Sequence, residues 1–204
     1  MFPGRVLWLL ALTAACGPGS GAASETTGEA STGATMAVAP TIPSTGVVDP
    51  TAGEFVALVD PMAWAQVPEP LDPLAAHRPA EVQCSIGGWL FEPQGFEVNT
   101  LQCNYAMFSA PSQAAVLAGS RVVATLYHFD LVAAEPATAH VALLLGETLL
   151  WETEVEIPGK ANAFNIDVVV DTTIPAGTPV YFHLHNHGQN TWTLGAIEVE
   201  VFGG

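Results

Sequence analysis

The chain has 204 residues, half of them apolar, with 20 acidic residues against 4 basic ones and a formal net charge of −16 at pH 7. That length suits one domain with a sizeable core plus an unfolded extension. A chain this acidic repels polyphosphate and anionic membrane surfaces, whose recognition needs clustered Lys and Arg, so nucleic acid is excluded as a partner.

Residues 1–16 read MFPGRVLWLLALTAAC. One positive charge, Arg5, precedes an apolar run from Val6 to Leu12 and then small residues. This is the layout of a secretory signal, and the run is too short to span a bilayer. Leu12, Ala14, Ala15 and Cys16 resemble the lipobox of bacterial lipoproteins, in which a small residue precedes a Cys that is lipidated and becomes the mature N-terminus. Thr13 stands where Leu is usual, which leaves ordinary cleavage after Ala15, and secretion, as the alternative. Cysteine parity sides with the lipid: with Cys16 acylated, Cys84 and Cys103 remain as an even pair for one disulfide in an oxidising compartment. The resemblance implies a signal peptide at 1–15, a palmitate-type anchor on Cys16 that makes the membrane a partner, and outer-membrane residence, because Gly17 and not Asp follows the cysteine.

Residues 16–53 are mostly Gly, Ser, Thr, Ala and Pro with a few acids, without aromatic residues or periodicity. Such a segment cannot bury enough apolar surface to offset its ordering entropy. It reads as a flexible, lipid-anchored tether with an average span of about 30–35 Å; a glycosylated Ser/Thr stalk is the alternative.

Apolar density rises at Phe55, and residues 54–204 read as one β-domain. Its first part, 54–80, is Pro-rich and irregular, with an edge strand at Phe55 to Val59 and Trp64 as its large anchor. Beyond Glu81 a two-residue period takes over. In Thr148–Ile157, Leu149, Trp151, Thr153, Val155 and Ile157 alternate with Glu152, Glu154 and Glu156. Phe164–Asp171 and Ile197–Val201 alternate similarly, as antiparallel strands with one buried and one wet face do. Turn chemistry separates these runs: Gly146-Glu147 fits a tight hairpin, and Pro158-Gly159, Pro175-Ala176-Gly177 and Asn186–Asn190 interrupt the others. About eight strands follow, near 81–91, 96–108, 119–131, 138–145, 148–157, 163–171, 179–187 and 191–202. The expected fold is an all-β, antiparallel, jelly-roll-like β-sandwich, with an immunoglobulin-like topology as the alternative. A Cys84–Cys103 bridge would join the first two strands and contribute about 3 kcal/mol by loop closure.

The densest cluster of polar chemistry is Tyr181-Phe182-His183-Leu184-His185-Asn186-His187. With Val180, Phe182 and Leu184 facing the core, Tyr181, His183, His185 and His187 share the opposite face. Two imidazoles at this spacing can converge on one metal ion. His-x-His on a strand is similar to the metal-binding strand of cupins and α-type carbonic anhydrases, and only that geometry is carried over. His128, Asp130 and His140 are the candidates for a third ligand. Two other readings stand beside it: a polar sheet face whose histidines are hydrogen-bonded to neighbours, and a pH-responsive binding face.

A second candidate site combines Tyr181, His187 and Trp192, with Trp151, as a stacking surface for sugar rings, as in carbohydrate-binding modules built on jelly rolls. The Glu152, Glu154 and Glu156 row reads as a solvated face. No Gly-x-Ser-x-Gly elbow, His-Glu-x-x-His helix or phosphate loop occurs in the sequence. The expectation is therefore a non-catalytic envelope lipoprotein presenting a binding module for a glycan or an envelope partner, without a cofactor. The alternative is a divalent transition metal in a cupin-like site at His183 and His185.

Overall fold

A computed structural model describes residues 53–202; the leader, Cys16 and the tether up to residue 52 lie outside the described residues. Eleven strands follow in chain order: β1 (Glu54–Ala57), β2 (Ala65–Gln66), β3 (Trp89–Glu92), β4 (Gly95–Asn99), β5 (Tyr105–Pro111), β6 (Arg121–His128), β7 (Ala137–Leu145), β8 (Thr148–Ile157), β9 (Asn162–Val169), β10 (Pro179–His185) and β11 (Thr191–Val201). They form two antiparallel sheets. The front sheet has the order β2-β5-β10-β7-β8, and the back sheet the order β3-β4-β11-β6-β9 with β1 added to β11.

The pairs β4–β11, β5–β10, β6–β9 and β7–β8 are nested. One long hairpin is thereby wrapped into two sheets, the topology of a jelly roll. Alternation explains why each strand lies as it does. In β6, Val122, Ala124, Leu126 and His128 are buried while Arg121, Val123, Thr125 and Tyr127 point outward. The inward sets of both sheets meet in one core that includes Phe96, Phe108, Phe182, Leu143, Leu184 and Trp192.

Three local expectations need correction. The expected strand 96–108 is two strands in different sheets, because the chain turns at 100–104, where the Asn99 side chain accepts a hydrogen bond from Leu101 N (3.0 Å) and starts the crossover. Of the expected strand 81–91, only Trp89 onward is strand. The Cys84–Cys103 disulfide therefore ties the chain ahead of β3 to the β4–β5 crossover rather than joining two strands. In β8, a bulge opposite Leu143/Leu144 breaks the alternation at its start. Leu149 turns outward and Leu150 takes the core position, after which Glu152, Glu154 and Glu156 are exposed as expected. The β7–β8 hairpin turns at Gly146 in the left-handed region (φ 59°), as the Gly-Glu pair requires.

Candidate functional site

β10 is the middle strand of the front sheet, and its register settles which side chains share a face. His183 lies opposite Met107 of β5 and Ala142 of β7; His185 lies opposite Tyr105 and His140. His140 in turn faces Glu154, and Ala142 faces Glu152. Tyr181, His183 and His185 thus occupy the outer face, as the period of two requires.

That face is not wet. Residues 67–80 form an irregular strap across it, built on single 3-10 turns at Glu69–Leu71 and Ala75–His77. Val67 N donates to Met107 O (2.8 Å). The Tyr105 hydroxyl donates to the buried Asp72 carboxylate (2.6 Å), and the Arg78 guanidinium sits over the Tyr105 ring (5.2 Å) and 3.5 Å from Asp72. Burial, reinforced by the Asp72 hydrogen bond, pushes the Tyr105 phenol up from its ordinary range.

Under and beside the strap, five of the six histidines gather. The His77 ring stacks on His140 at 4.1 Å and lies 5.9 Å from His183; His140 and His183 are 5.0 Å apart. His185 and His187 are neighbours at the rim (4.9 Å). His183 is fully buried. Desolvation first, then the adjoining His140, His77 and His185, push its pKa down to about 3, so it stays neutral at physiological pH. His185 is lowered for the same leading reason. His140 Nε2 lies 3.3 Å from the Glu152 carboxylate. His140 Nδ1, both ring nitrogens of His183 and His185 Nε2 are buried without a partner.

The structure thus brings His183, His185 and His140 together and adds His77, which the sequence offered no periodicity to find because it sits on irregular chain. It does not bring in His128. That ring is on the inner face of the back sheet, against Trp192 (4.4 Å) and Phe164, because β6 buries its even-numbered positions. Asp130 is also elsewhere: the hydrogen bond it accepts from Lys160 Nζ (2.8 Å), with a second from Ala161 N (2.8 Å), holds its carboxyl below the usual range. Trp192 cannot stack on a ligand: it is a core residue whose indole N–H donates to Asn186 Oδ1 (3.0 Å). Trp151 packs against the core beside Phe164 (5.5 Å). Tyr181 remains half-buried on the front face, and His187 lies past the end of β10.

The outer face of the back sheet is different. In register across it run Ala163, Tyr127, Thr193, Glu97 and Leu90. The pairing of β6 with β11 shifts between Leu194 and Ile197, and this bulge at Gly195-Ala196 opens a groove of about 250 Å³. Its walls are Thr125, Asn165, Asp167, Ala196 and Glu198, with Tyr127 the next outward residue along β6 and Phe129 edge-on to it (6.3 Å). Arg121 is bonded to Asp167 at the far end. Burial first, and then Glu92, raise the Glu97 carboxyl on this face.

No protein-family model matches the chain, and no curated protein matches it. Solved structures that are similar in fold include a xylan-binding module (10% identity, TM-score 0.44, covering 73% of this chain and 97% of that one). Another is a carbohydrate-binding module described for specific mannan recognition (7% identity, TM-score 0.45, covering 74% and 97%). A third is the K3 cleaved adhesin domain of Lys-gingipain from Porphyromonas gingivalis W83 (11% identity, TM-score 0.41, covering 72% and 100%).

Proposed function

We propose that the protein is a non-catalytic binding module for a neutral glycan, held at the bacterial envelope by a lipid on Cys16, and that the glycan lies along the outer face of the back sheet. The groove at the Gly195-Ala196 bulge carries this reading. It gathers an amide, two carboxylates and a hydroxyl (Asn165, Asp167, Glu198, Thr125), with Tyr127 the next outward residue along β6. Planar polar side chains pair with vicinal sugar hydroxyls, and an aromatic face packs against the apolar face of a pyranose ring. The formal charge of −16 disfavours a polyanionic chain and leaves a neutral one.

Electrophoresis through gels containing a β-glucan, a xylan or a mannan tests this reading. Wild-type protein is expected to be retarded by at least one of them, with Tyr127→Ala weakening the apparent affinity by about tenfold, the equivalent of about 1.4 kcal/mol. Migration that is identical with and without every polysaccharide, or retardation that Tyr127→Ala leaves unchanged, contradicts it. The anchor has its own test. Mass spectrometry of the mature N-terminus is expected to find an acylated Cys16; an unmodified Cys16 would make the module a secreted one without touching the glycan site.

A further inference from the structure

We propose that His77, His140 and His183 form a binding site for a divalent transition-metal ion of the zinc or copper class, roofed by the 67–80 strap. This site lies on the opposite sheet from the glycan groove and does not depend on that reading.

The chemistry starts at His140. The Glu152 carboxylate can only accept at neutral pH, so the contact at 3.3 Å places the His140 proton on Nε2. Nδ1 is then a bare lone pair, and it is buried with no donor facing it. A carboxylate holding the far nitrogen of an imidazole is the arrangement that orients histidine ligands on metals and raises their basicity. His183 repeats the signal more strongly, being fully buried with neither nitrogen partnered. The Tyr105 ring lies 5.1 Å from that of His183, but its hydroxyl already donates to Asp72. A buried polar atom without a partner costs about 1–3 kcal/mol; His140 Nδ1 and the one bare nitrogen of neutral His183 are two lone pairs that lack one here.

The spacing agrees. Two imidazoles sharing a tetrahedral ion at bonds of about 2.0–2.1 Å have ring centres about 5 Å apart, and His140 and His183 stand at 5.0 Å. The third ligand must move. As the side chains stand, no group of three or more His, Cys, Asp or Glu among the described residues is set to hold a metal, because His77 lies parallel to His140 (12° between planes) instead of pointing a nitrogen between the rings. His77 is exposed on the strap, so rotation about its side-chain bonds brings its nitrogen toward the other two, with water as the fourth ligand. Three neutral imidazoles suit zinc, copper or nickel rather than calcium or magnesium, which take oxygen ligands.

The test uses the chain without an affinity tag, treated with chelator and titrated calorimetrically with zinc chloride and copper chloride. One ion per chain is expected. His77→Ala and His183→Leu should each weaken binding by on the order of 100-fold, while His187→Ala at the rim leaves it within about twofold of wild type. Circular dichroism checks folding of the variants, and His77→Ala decides alone if His183→Leu unfolds, since His77 is exposed. Absence of saturable binding, as expected of a cluster bridged only by water, overturns the proposal. So does binding lost in His187→Ala but kept in His77→Ala, which would assign the metal to the rim pair.

Discussion

Replacing Phe96 by alanine is expected to cost about 3–5 kcal/mol, a large part of the roughly 5–15 kcal/mol that holds a domain folded. Phe96 is fully buried on β4 of the back sheet. Its ring packs edge-on to Phe108 (4.8 Å) and Phe182 (6.3 Å) of the front sheet, lies beside Phe91 (5.4 Å), and stacks with Trp64 (5.7 Å) from the chain ahead of the strap. It is therefore the point where both sheets and the irregular N-terminal part meet. All four partners are aromatic side chains, three of them on strands and Trp64 buried in the core, so the surroundings collapse little into the space left, which places the cost at the upper end. Urea unfolding measures it: the midpoint falls while the slope is unchanged. Leu90→Ala, on the outward face of β3, serves as the comparison and should change stability by less than about 0.5 kcal/mol. A Phe96→Ala loss no greater than that of Leu90→Ala would contradict the packing described.

Asn186→Leu is expected to cost about 2–4 kcal/mol through polar groups rather than volume. Asn186 is fully buried just after β10. Its Nδ2 donates to Thr100 Oγ1 (3.0 Å) and His187 O (2.8 Å), and its Oδ1 accepts from Trp192 Nε1 (3.0 Å). Thr100 Oγ1 also accepts from Asn190 N (2.9 Å), and Asn190 Oδ1 accepts from Val132 N. One side chain thus satisfies the core tryptophan and seats the loop that carries His187. Leucine has similar volume and no polar atoms, so it strands the indole N–H and loosens the loop, each group costing about 1–3 kcal/mol. Denaturation gives the total, and hydrogen exchange should show faster exchange at residues 186–190 with β6 and β7 unaffected. Uniform acceleration throughout the domain would instead mean that the network is not local.

The jelly roll was legible because its strands alternate cleanly. The even-buried pattern of β6, the glutamate row of β8 and the Gly-Glu hairpin are local signals that tertiary packing did not override. What failed locally failed for nameable reasons. The stretch 96–108 is apolar on both sides of a short polar turn, so hydrophobicity alone could not show that the chain changes sheets there. Leu149 and Leu150 are adjacent leucines, and only the opposing strand decides which one enters the core.

The candidate sites were legible in part. The period of two placed Tyr181, His183 and His185 on one face correctly, yet it implied a solvated face. The strap that covers them comes from Pro-rich chain without period, so neither its position nor His77 could be read locally. Trp192 looked available because aromatic residues suit sugar binding, but its neighbours Leu194 and Ile197 share its inward face. The back-sheet groove is not legible in the sequence because it depends on a bulge at Gly195-Ala196, where a glycine within a strand is the single local hint.

Shift mapping by NMR with a neutral oligosaccharide from whichever polysaccharide retards the protein most addresses the glycan proposal most directly. Saturable perturbation is expected at Thr125, Tyr127, Asn165, Asp167 and Glu198 on the outer back face. Perturbation confined to Tyr181, His185 and Glu152 on the front face, or none at saturating ligand, would contradict it.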